Sequence, residues 1–329
     1  MKVFEVVAGS QSLEGLVETQ RPEPEPGPQE VAVSIRAAAL NYRDLAIVNG
    51  QYFGGPVAHN TIPVSDGAGE VIAVGSAVQS FAPGDRVVAA FSQGGPMQTL
   101  GSPLDGMLAE VGIFNAAGLR KLPDGLSFED GATLPCAGVT AWNALTGGKP
   151  ILPGATVLTL GTGGVSIMAL QLAKLAGARV IVTSSSDSKL QQAKALGADA
   201  TINYKAHPDW EQEVMALTGG AGADHIVEVG GAGTLPKSYA SVADAGEIAL
   251  IGVLSAPEGD LTPYPLMIKG ATLRGIFVGR EPGLDGLLNA VGHNGLKPVI
   301  DSVFEFGQSA EAYRYLQSGQ HFGKVVIRI

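Results

Sequence analysis

Cysteine is almost missing: Cys136 is the only one in 329 residues. An intrachain disulfide is therefore excluded, as is a structural zinc site built from four cysteines. Basic residues are also scarce. Lys and Arg total 21 against 31 Asp and Glu, a formal net charge of -10. Nowhere do they cluster enough to neutralise a run of phosphates, which argues against nucleic acid as a partner. Long apolar runs are missing too, since Gly, Pro or a charge interrupts each one well before the roughly 20 residues that a membrane span needs. The N-terminal MKVFEVVAG reads as a strand rather than a signal peptide. The expectation is a cytoplasmic protein with no membrane partner.

Histidines number only five. His59 stands alone in the first 120 residues, and His207, His225, His293 and His321 show no i,i+4 or short paired spacing. Each is expected to be a surface group or to be satisfied locally. With no Ser/His/Asp or paired-carboxylate arrangement in view, hydrolytic chemistry has no support.

What remains is ample apolar material, 45% of the chain against 16% charged, enough to build about two domains of ordinary size. The first 120 or so residues carry short β-type segments, Val3 to Val7, Glu30 to Ala37 and Gly69 to Val74, separated by turns such as RPEPEPGPQE and APGDR. From about residue 155 the pattern changes. Strand-like TVLTL, RVIVTS, DATINY, HIVEVG, EIALIGV and TLRGIFV alternate with amphipathic stretches, which implies βαβ units and a parallel sheet. A helix over 285–291, a turn into a helix in VFEFGQSAEAYRYLQSG and a last strand KVVIRI follow, and are expected to complete the first domain.

The stretch LTLGTGGVSIMALQLAKLAGA, residues 158–178, breaks an apolar strand with glycines. A tight strand-to-helix turn, close backbone approach to a pyrophosphate and close helix–strand packing each favour a residue without Cβ. Gly161, Gly163 and Gly164 fill those places, with Ser166 where the dinucleotide fingerprint has its third Gly. Val165, Met168, Ala169, Leu172 and Leu175 form one stripe, so the glycines sit at a helix N-terminus, where N–H groups and the dipole favour an anion. The same residues would also serve a plain βα turn. The surrounding pattern of strand, helix and a second strand ending about 20 residues later is what a dinucleotide fold requires. The loop Gly161, Thr162, Gly163, Gly164 and Val165 is the expected phosphate cradle.

An Asp or Glu at the end of that second strand would hold the ribose 2'-OH of NAD, whereas small polar and basic groups leave room for the 2'-phosphate of NADP. VTSSSDSKL places Ser184 there with Lys189 one helical turn on, which favours NADP(H) over NAD(H). Asp187 is the counter-evidence, unless it caps the helix that starts near Ser188. Tyr204 either flanks the adenosine or packs.

LNYRDLAIVNGQY at 40–52, PVSDGAGEVIAVG at 63–75, GDRV at 84–87, LPCAGVTAWNAL at 134–145, the glycine loop and HFGKVVIRI at the end resemble the medium-chain dehydrogenase/reductase superfamily. The similarity is to its zinc-independent branch, which contains quinone oxidoreductases and alcohol-dehydrogenase-like proteins. It implies an α/β chain with a mostly-β GroES-like catalytic domain over 1–122 and 281–329, and a Rossmann-type doubly wound parallel sheet over 123–280. Zinc-dependent members begin their ligand set with a Cys in C-x-[ST]-D, where this chain has Asn41-Tyr42-Arg43-Asp44. The second ligand is the His of G-H-E, where it has Ser65 and Asp66. Cys136 alone keeps a ligand type, and one thiolate cannot hold a catalytic zinc. It is read instead as a small buried residue, and residues 92–107 lack the cysteines of a structural-zinc lobe.

Without a Lewis acid, acceptors that spread developing negative charge themselves become the expected substrates: quinones and α,β-unsaturated carbonyls, reduced by hydride from NADPH. The resemblance implies that Asn41 donates a hydrogen bond to the substrate oxygen, that Tyr42 and Arg43 lie beside the nicotinamide and phosphate, and that Tyr52 supplies a phenolic proton. Arg43 could equally pair with Asp44 or Asp66 to hold its domain together, and Tyr52 could be a loop aromatic. Thr140 matches the position that contacts the nicotinamide. Further cofactor contacts are expected at Gly230, Gly252, Val253, Phe277 and Val278, on the carboxyl ends of strands, and at Gly323 and Lys324. TLRGIFV, as an apolar edge, suggests a homodimer. Two alternatives stay open: an alcohol/aldehyde dehydrogenase, and a NADPH-binding protein with a structural or sensing role.

Overall fold

In the computed structural model, which describes residues 1–95, 97–252, 254 and 261–329, the chain divides into two units, Met1–Ala137 with Arg280–Ile329, and Gly138–Gly279. The first unit opens with β1 (Lys2–Val6), β2 (Leu16–Gln20), β3 (Glu30–Leu40), α1 (Tyr42–Val48), β4 (Asp66–Val74), β5 (Arg86–Ala89), β6 (Val111–Asn115), β7 (Leu119–Lys121) and α2 (Phe128–Ala132). The second holds α3 (Val139–Thr146), β8 (Thr156–Leu160), α4 (Gly164–Leu175), β9 (Arg179–Ser184), α5 (Asp187–Ala195), β10 (Ala200–Asn203), α6 (Trp210–Leu217), β11 (Ala223–Glu228), α7 (Leu235–Ser241), β12 (Val242–Leu250), α8 (Tyr264–Lys269) and β13 (Thr272–Gly275). The chain then returns to the first unit with α9 (Glu281–Asn294), β14 (Ile300–Glu305), α10 (Ser309–Gln317) and β15 (Lys324–Arg328).

A seven-stranded sheet organises the first unit in the order β14-β15-β3-β4-β5-β7, with β6 also on β3. The long strand β3 is apolar on both faces, EVAVSIRAAAL, because both are covered: Val31, Val33, Ile35 and Leu40 enter one core with Met107, Leu108, Tyr313, Val325 and Ile327. Antiparallel pairing sets Val325 of β15 opposite Leu40 of β3. That register brings Lys324 beside Asn41.

In the second unit six parallel strands run β10-β9-β8-β11-β12-β13, the order 3-2-1-4-5-6 of a doubly wound sheet. Strands β8 and β9 occupy the same residues as TVLTL and RVIVTS. The others shift. β11 begins two residues before HIVEVG and ends before Gly230, and β12 reaches back to Val242. TLRGIFV is strand only to Gly275, since Val278 takes a left-handed φ of 53° that a strand cannot hold. The helix expected over 285–291 is the longer α9, closed by Gly295 at φ 59°. α4 buries more than the expected stripe, because Ser166, Ile167, Leu170 and Ala173 are inside as well, while Leu175 is exposed. Among the described residues no helix is long and apolar enough to cross a membrane.

Candidate functional site

Two groups of expected site residues are described, one in each unit. In the first, β3 stops at Leu40 and Asn41 caps α1 with extended backbone, φ -128° and ψ 161°. Asp44, at the third helical position, accepts the Asn41 backbone N–H at 2.8 Å in a capping-box arrangement. Asn is a strong cap and an acid in the first turn suits the helix dipole, so N-Y-R-D starts a helix here for local reasons. Asp44 is fully buried, which pushes its carboxyl up to about 6 despite the pull of Arg43.

Arg43 is spent inside the unit. Its guanidinium donates to Leu100 O at 2.8 Å, Ser102 O at 3.2 Å and Thr99 Oγ1 at 3.3 Å, and Nε donates to Tyr52 Oη at 3.3 Å. The head group also lies 4.9 Å from the ring centres of both Tyr52 and Phe91. Burial opposes its charge, but Asp44 and Tyr52 beside it more than offset this and raise its pKa. With only 8% of its surface exposed, Arg43 anchors the 99–102 segment, the structural role that the sequence left open for it. Tyr52 is its neighbour in that packing rather than a free phenol. Tyr42 is 57% exposed.

Asp66 starts β4 and Ser65 immediately precedes it. Ser65 Oγ donates to Asp66 Oδ1 at 2.6 Å, and the Cys136 N–H donates to Asp66 Oδ2 at 3.0 Å. Val64, just before them, is fully buried and left-handed at φ 74°, a strained state for a β-branched residue. Cys136 lies in a π-helical turn, Leu134–Gly138. The residue is half-buried overall, and burial of its thiol together with the nearby Asp66 pushes its pKa up. Lys324 completes the group: Nζ donates to Leu40 O and to Asn41 Oδ1, both at 2.6 Å. These two bonds use two of the three donors of the ammonium group. Gly323 is left-handed at φ 82°, and a Cβ there would come within 2.5 Å of Val299 O, which accounts for it as a turn residue.

A catalytic zinc does not fit this donor set. An amide, a serine hydroxyl that donates to Asp66 and a thiol whose burial disfavours ionisation stand at the three ligand positions. Among the described residues no group of three or more His, Cys, Asp or Glu side chains is arranged to hold a metal ion.

In the second unit Gly161 follows β8 at φ 77°, with open space where a Cβ would stand, and Gly163 caps α4. The first-turn N–H groups lack intrahelical acceptors by construction. Thr162 is buried, Val165 half-buried, and Ser166 bonds back to Leu160 O at 2.7 Å, so a hydroxyl does here what close packing of a third Gly would do. Ser184, buried at the end of β9, accepts the Ser186 N–H at 3.3 Å, and its carbonyl accepts the Tyr204 N–H at 3.1 Å. Asp187 is the first residue of α5 rather than its cap, which is Ser186. Its carboxylate accepts Asn203 Nδ2 at 2.7 Å. Lys189 is the third residue of α5, half-buried. Thr140 is buried in α3, and Val278, a strained left-handed residue, gives its carbonyl to Asn143 Nδ2 at 2.8 Å, with Phe277 partly exposed beside it. Gly252 lies so close to Val229 O that a Cβ would collide. Val253 lies outside the described residues.

Two buried groups here escaped the sequence reading. Glu228, at the end of β11, is fully buried and accepts the N–H groups of Gly230 at 2.8 Å and Gly231 at 3.1 Å and the Thr234 hydroxyl at 2.6 Å, with Ser238 on its other oxygen. His225 is buried too, and neither ring nitrogen has a hydrogen-bond partner among the described residues, against the expectation of a surface or locally satisfied group.

Residues 27–124 match the family model of the alcohol dehydrogenase GroES-like domain, and residues 164–292 that of a zinc-binding dehydrogenase. A zinc-type alcohol dehydrogenase-like protein of Schizosaccharomyces pombe is 46% identical over 318 residues, 92% of this chain and 91% of the relative. Among solved structures, one of an NAD-dependent alcohol dehydrogenase has a TM-score of 0.93 at 37% identity, covering 100% of both chains. The quinone oxidoreductase of Pseudomonas syringae has a TM-score of 0.85 at 29% identity, covering 100% of this chain and 99% of that one. With both family models matched in order on a GroES-like unit and a Rossmann-type sheet, the chain belongs to the medium-chain dehydrogenase/reductase superfamily and is an oxidoreductase of that family.

Proposed function

We propose that this chain transfers hydride from NADPH to a quinone or an α,β-unsaturated carbonyl without a catalytic metal. The observation that carries the reading is the group at Asn41, Ser65, Asp66 and Cys136, in which the Asn41 oxygen and both Asp66 carboxylate oxygens already accept hydrogen bonds inside the first unit. A bound reduced nicotinamide would supply the hydride. The loop Gly161–Val165 and the N-terminus of α4 are the groups to hold its pyrophosphate, as open left-handed Gly161 leaves space for a close backbone approach. Ser184, where an acid would favour NAD, and Lys189 favour the 2'-phosphate. The acceptor gains two electrons with the hydride, and its oxygen carries the resulting charge until water protonates it. Asn41 serves as donor to that oxygen, a contribution of several kcal/mol where such donors are preorganised.

Alcohol/aldehyde oxidation is the second reading, favoured by the names of the relatives and by the NAD-dependent neighbour. Titration with NADPH and NADH by nucleotide fluorescence, followed by quinones, enones and alcohols on metal-stripped protein, separates the readings. NADPH preference with turnover of quinones or enones is expected. Turnover that needs stoichiometric zinc, or equal affinity for both nucleotides, overturns the proposal; tight nucleotide binding without turnover indicates a structural or sensing role.

The reading includes a homodimer. α8 leaves Tyr264, Met267 and Ile268 exposed, Ile268 at 81%, next to edge strand β13.

A further inference from the structure

Asn41 is the one residue in the N-Y-R-D turn whose side chain is half-buried and polar without being locked into the core. Its amide can face either way, and the two orientations differ chemically: one presents an acceptor to a ligand, the other a donor. An acceptor facing the oxygen of a reduced quinone or enone would repel the charge that develops there. Something must therefore select the orientation.

We propose that Lys324 is the positioning residue that does so. This rests on the hydride-transfer reading above and adds to it the origin of the oxyanion-facing donor. An ammonium group has three donors and no acceptor, so the amide group that meets it at 2.6 Å can only be the oxygen. Lys324 is itself fixed, since a second N–H goes to Leu40 O at 2.6 Å and only 5% of the residue is exposed. The antiparallel register of β15 on β3, Val325 opposite Leu40, holds the ammonium at this point of the turn. With its oxygen taken, Asn41 turns its NH2 away from Lys324. One hydrogen reaches Ala39 O at a long 3.4 Å, and the other is left to meet a ligand. The buried charge also polarises the amide, which makes that N–H a better donor.

The test is a double-mutant cycle on the full chain, with NADPH and either 1,4-benzoquinone or 2-cyclohexen-1-one. K324M is expected to lower kcat about tenfold or more, the scale of a misplaced oxyanion donor. The NADPH dissociation constant should stay within about threefold, and K324R should restore most of the rate. N41D, which can still cap α1 but has no NH2, accompanies N41A. Because Lys324 acts through Asn41, K324M/N41A should be no slower than N41A alone within about twofold. Multiplicative losses overturn the proposal. So does K324M weakening NADPH binding with kcat intact, which would return Lys324 to the nucleotide. A readout independent of turnover is the Asn41 side-chain NH2 signal in a 15N spectrum, identified by its loss in N41D. It should shift in K324M and return in K324R, and an unmoved signal overturns the proposal. If the wild type turns over neither acceptor, the hydride-transfer reading fails while the spectrum still judges the Lys324–Asn41 pair.

Discussion

The Glu247 carboxylate and the Arg274 guanidinium face one another across neighbouring strands, with Nε to Oε1 at 2.9 Å and NH2 to Oε1 at 2.8 Å. Arg274 continues to the Asn143 carbonyl at 2.7 Å and Oδ1 at 3.0 Å, while the other Glu247 oxygen accepts the Lys149 N–H at 2.7 Å. Burial makes such a pair costly to break from one side only. E247A is expected to cost about 3 kcal/mol. R274K should lose about 1–2 kcal/mol, because an ammonium cannot reproduce the fork. Urea unfolding measures both, and a near-neutral E247A would show the network to be dispensable.

Glu228 organises the turn after β11 through the Gly230 and Gly231 N–H groups. E228Q keeps an acceptor for the Gly230 and Gly231 N–H groups but removes the charge they meet, and its NH2 faces the Ser238 hydroxyl, which must turn round to accept. A loss of about 2–4 kcal/mol is expected, with a raised KM for nucleotide if the turn contributes to its site. Unchanged Tm and KM together would contradict this.

Two buried groups act oppositely on stability as pH falls. Burial lowers the His225 pKa below its ordinary 6.5, so below pH 6.5 the unfolded chain takes up the proton first and the folded state loses stability. Asp44, raised from 3.8 to about 6, is protonated first in the folded state, so its contribution grows more favourable from about pH 6 down to 3.8. H225L should flatten the fall in Tm below pH 6.5, and D44N should remove the opposing gain. Tm recorded from pH 4 to 8 for the three proteins decides it, and parallel curves would exclude both groups.

At the end of β9, S184D places a carboxylate where the 2'-phosphate is proposed to lie. The ratio of kcat/KM for NADPH over NADH should fall at least about tenfold, the effect of about 1.4 kcal/mol of repulsion. An unchanged ratio would move the 2'-phosphate elsewhere.

For the proposed dimer, M267E/I268E puts two charges on the exposed face of α8. Light scattering should show the wild type at twice the chain mass and the variant at once. A wild-type monomer at micromolar concentration would remove the interface.

Strands β8 and β9 were legible to the residue because apolar runs bounded by Gly and by polar turns leave no room for another reading. The parallel order followed from their alternation with helices. Site chemistry was less legible. One buried polar residue inside an apolar strand, such as His225 or Glu228, leaves no periodic trace, and nothing local distinguishes it from a surface group. Arg43 was ambiguous because its partners Thr99, Leu100 and Ser102 lie more than fifty residues away along the chain. Leu175 was placed on the core stripe because helical period alone does not say how far a neighbouring element covers a helix end. The strained φ of Val64 and Val278 is invisible to propensity, which would never choose a β-branched residue there.

The seven-stranded sheet has its penultimate member, β15, drawn from residues 324–328 and laid against residues 37–40. On the ribosome, the contiguous stretch 138–279 emerges with all six of its strands and can close its sheet while translation continues. The amino-terminal strands emerge earlier yet must wait, the edge of β3 unpaired, for a partner made nearly three hundred residues later. Chaperone dependence and the sensitivity of this fold to late frameshifts would both trace to that single seam.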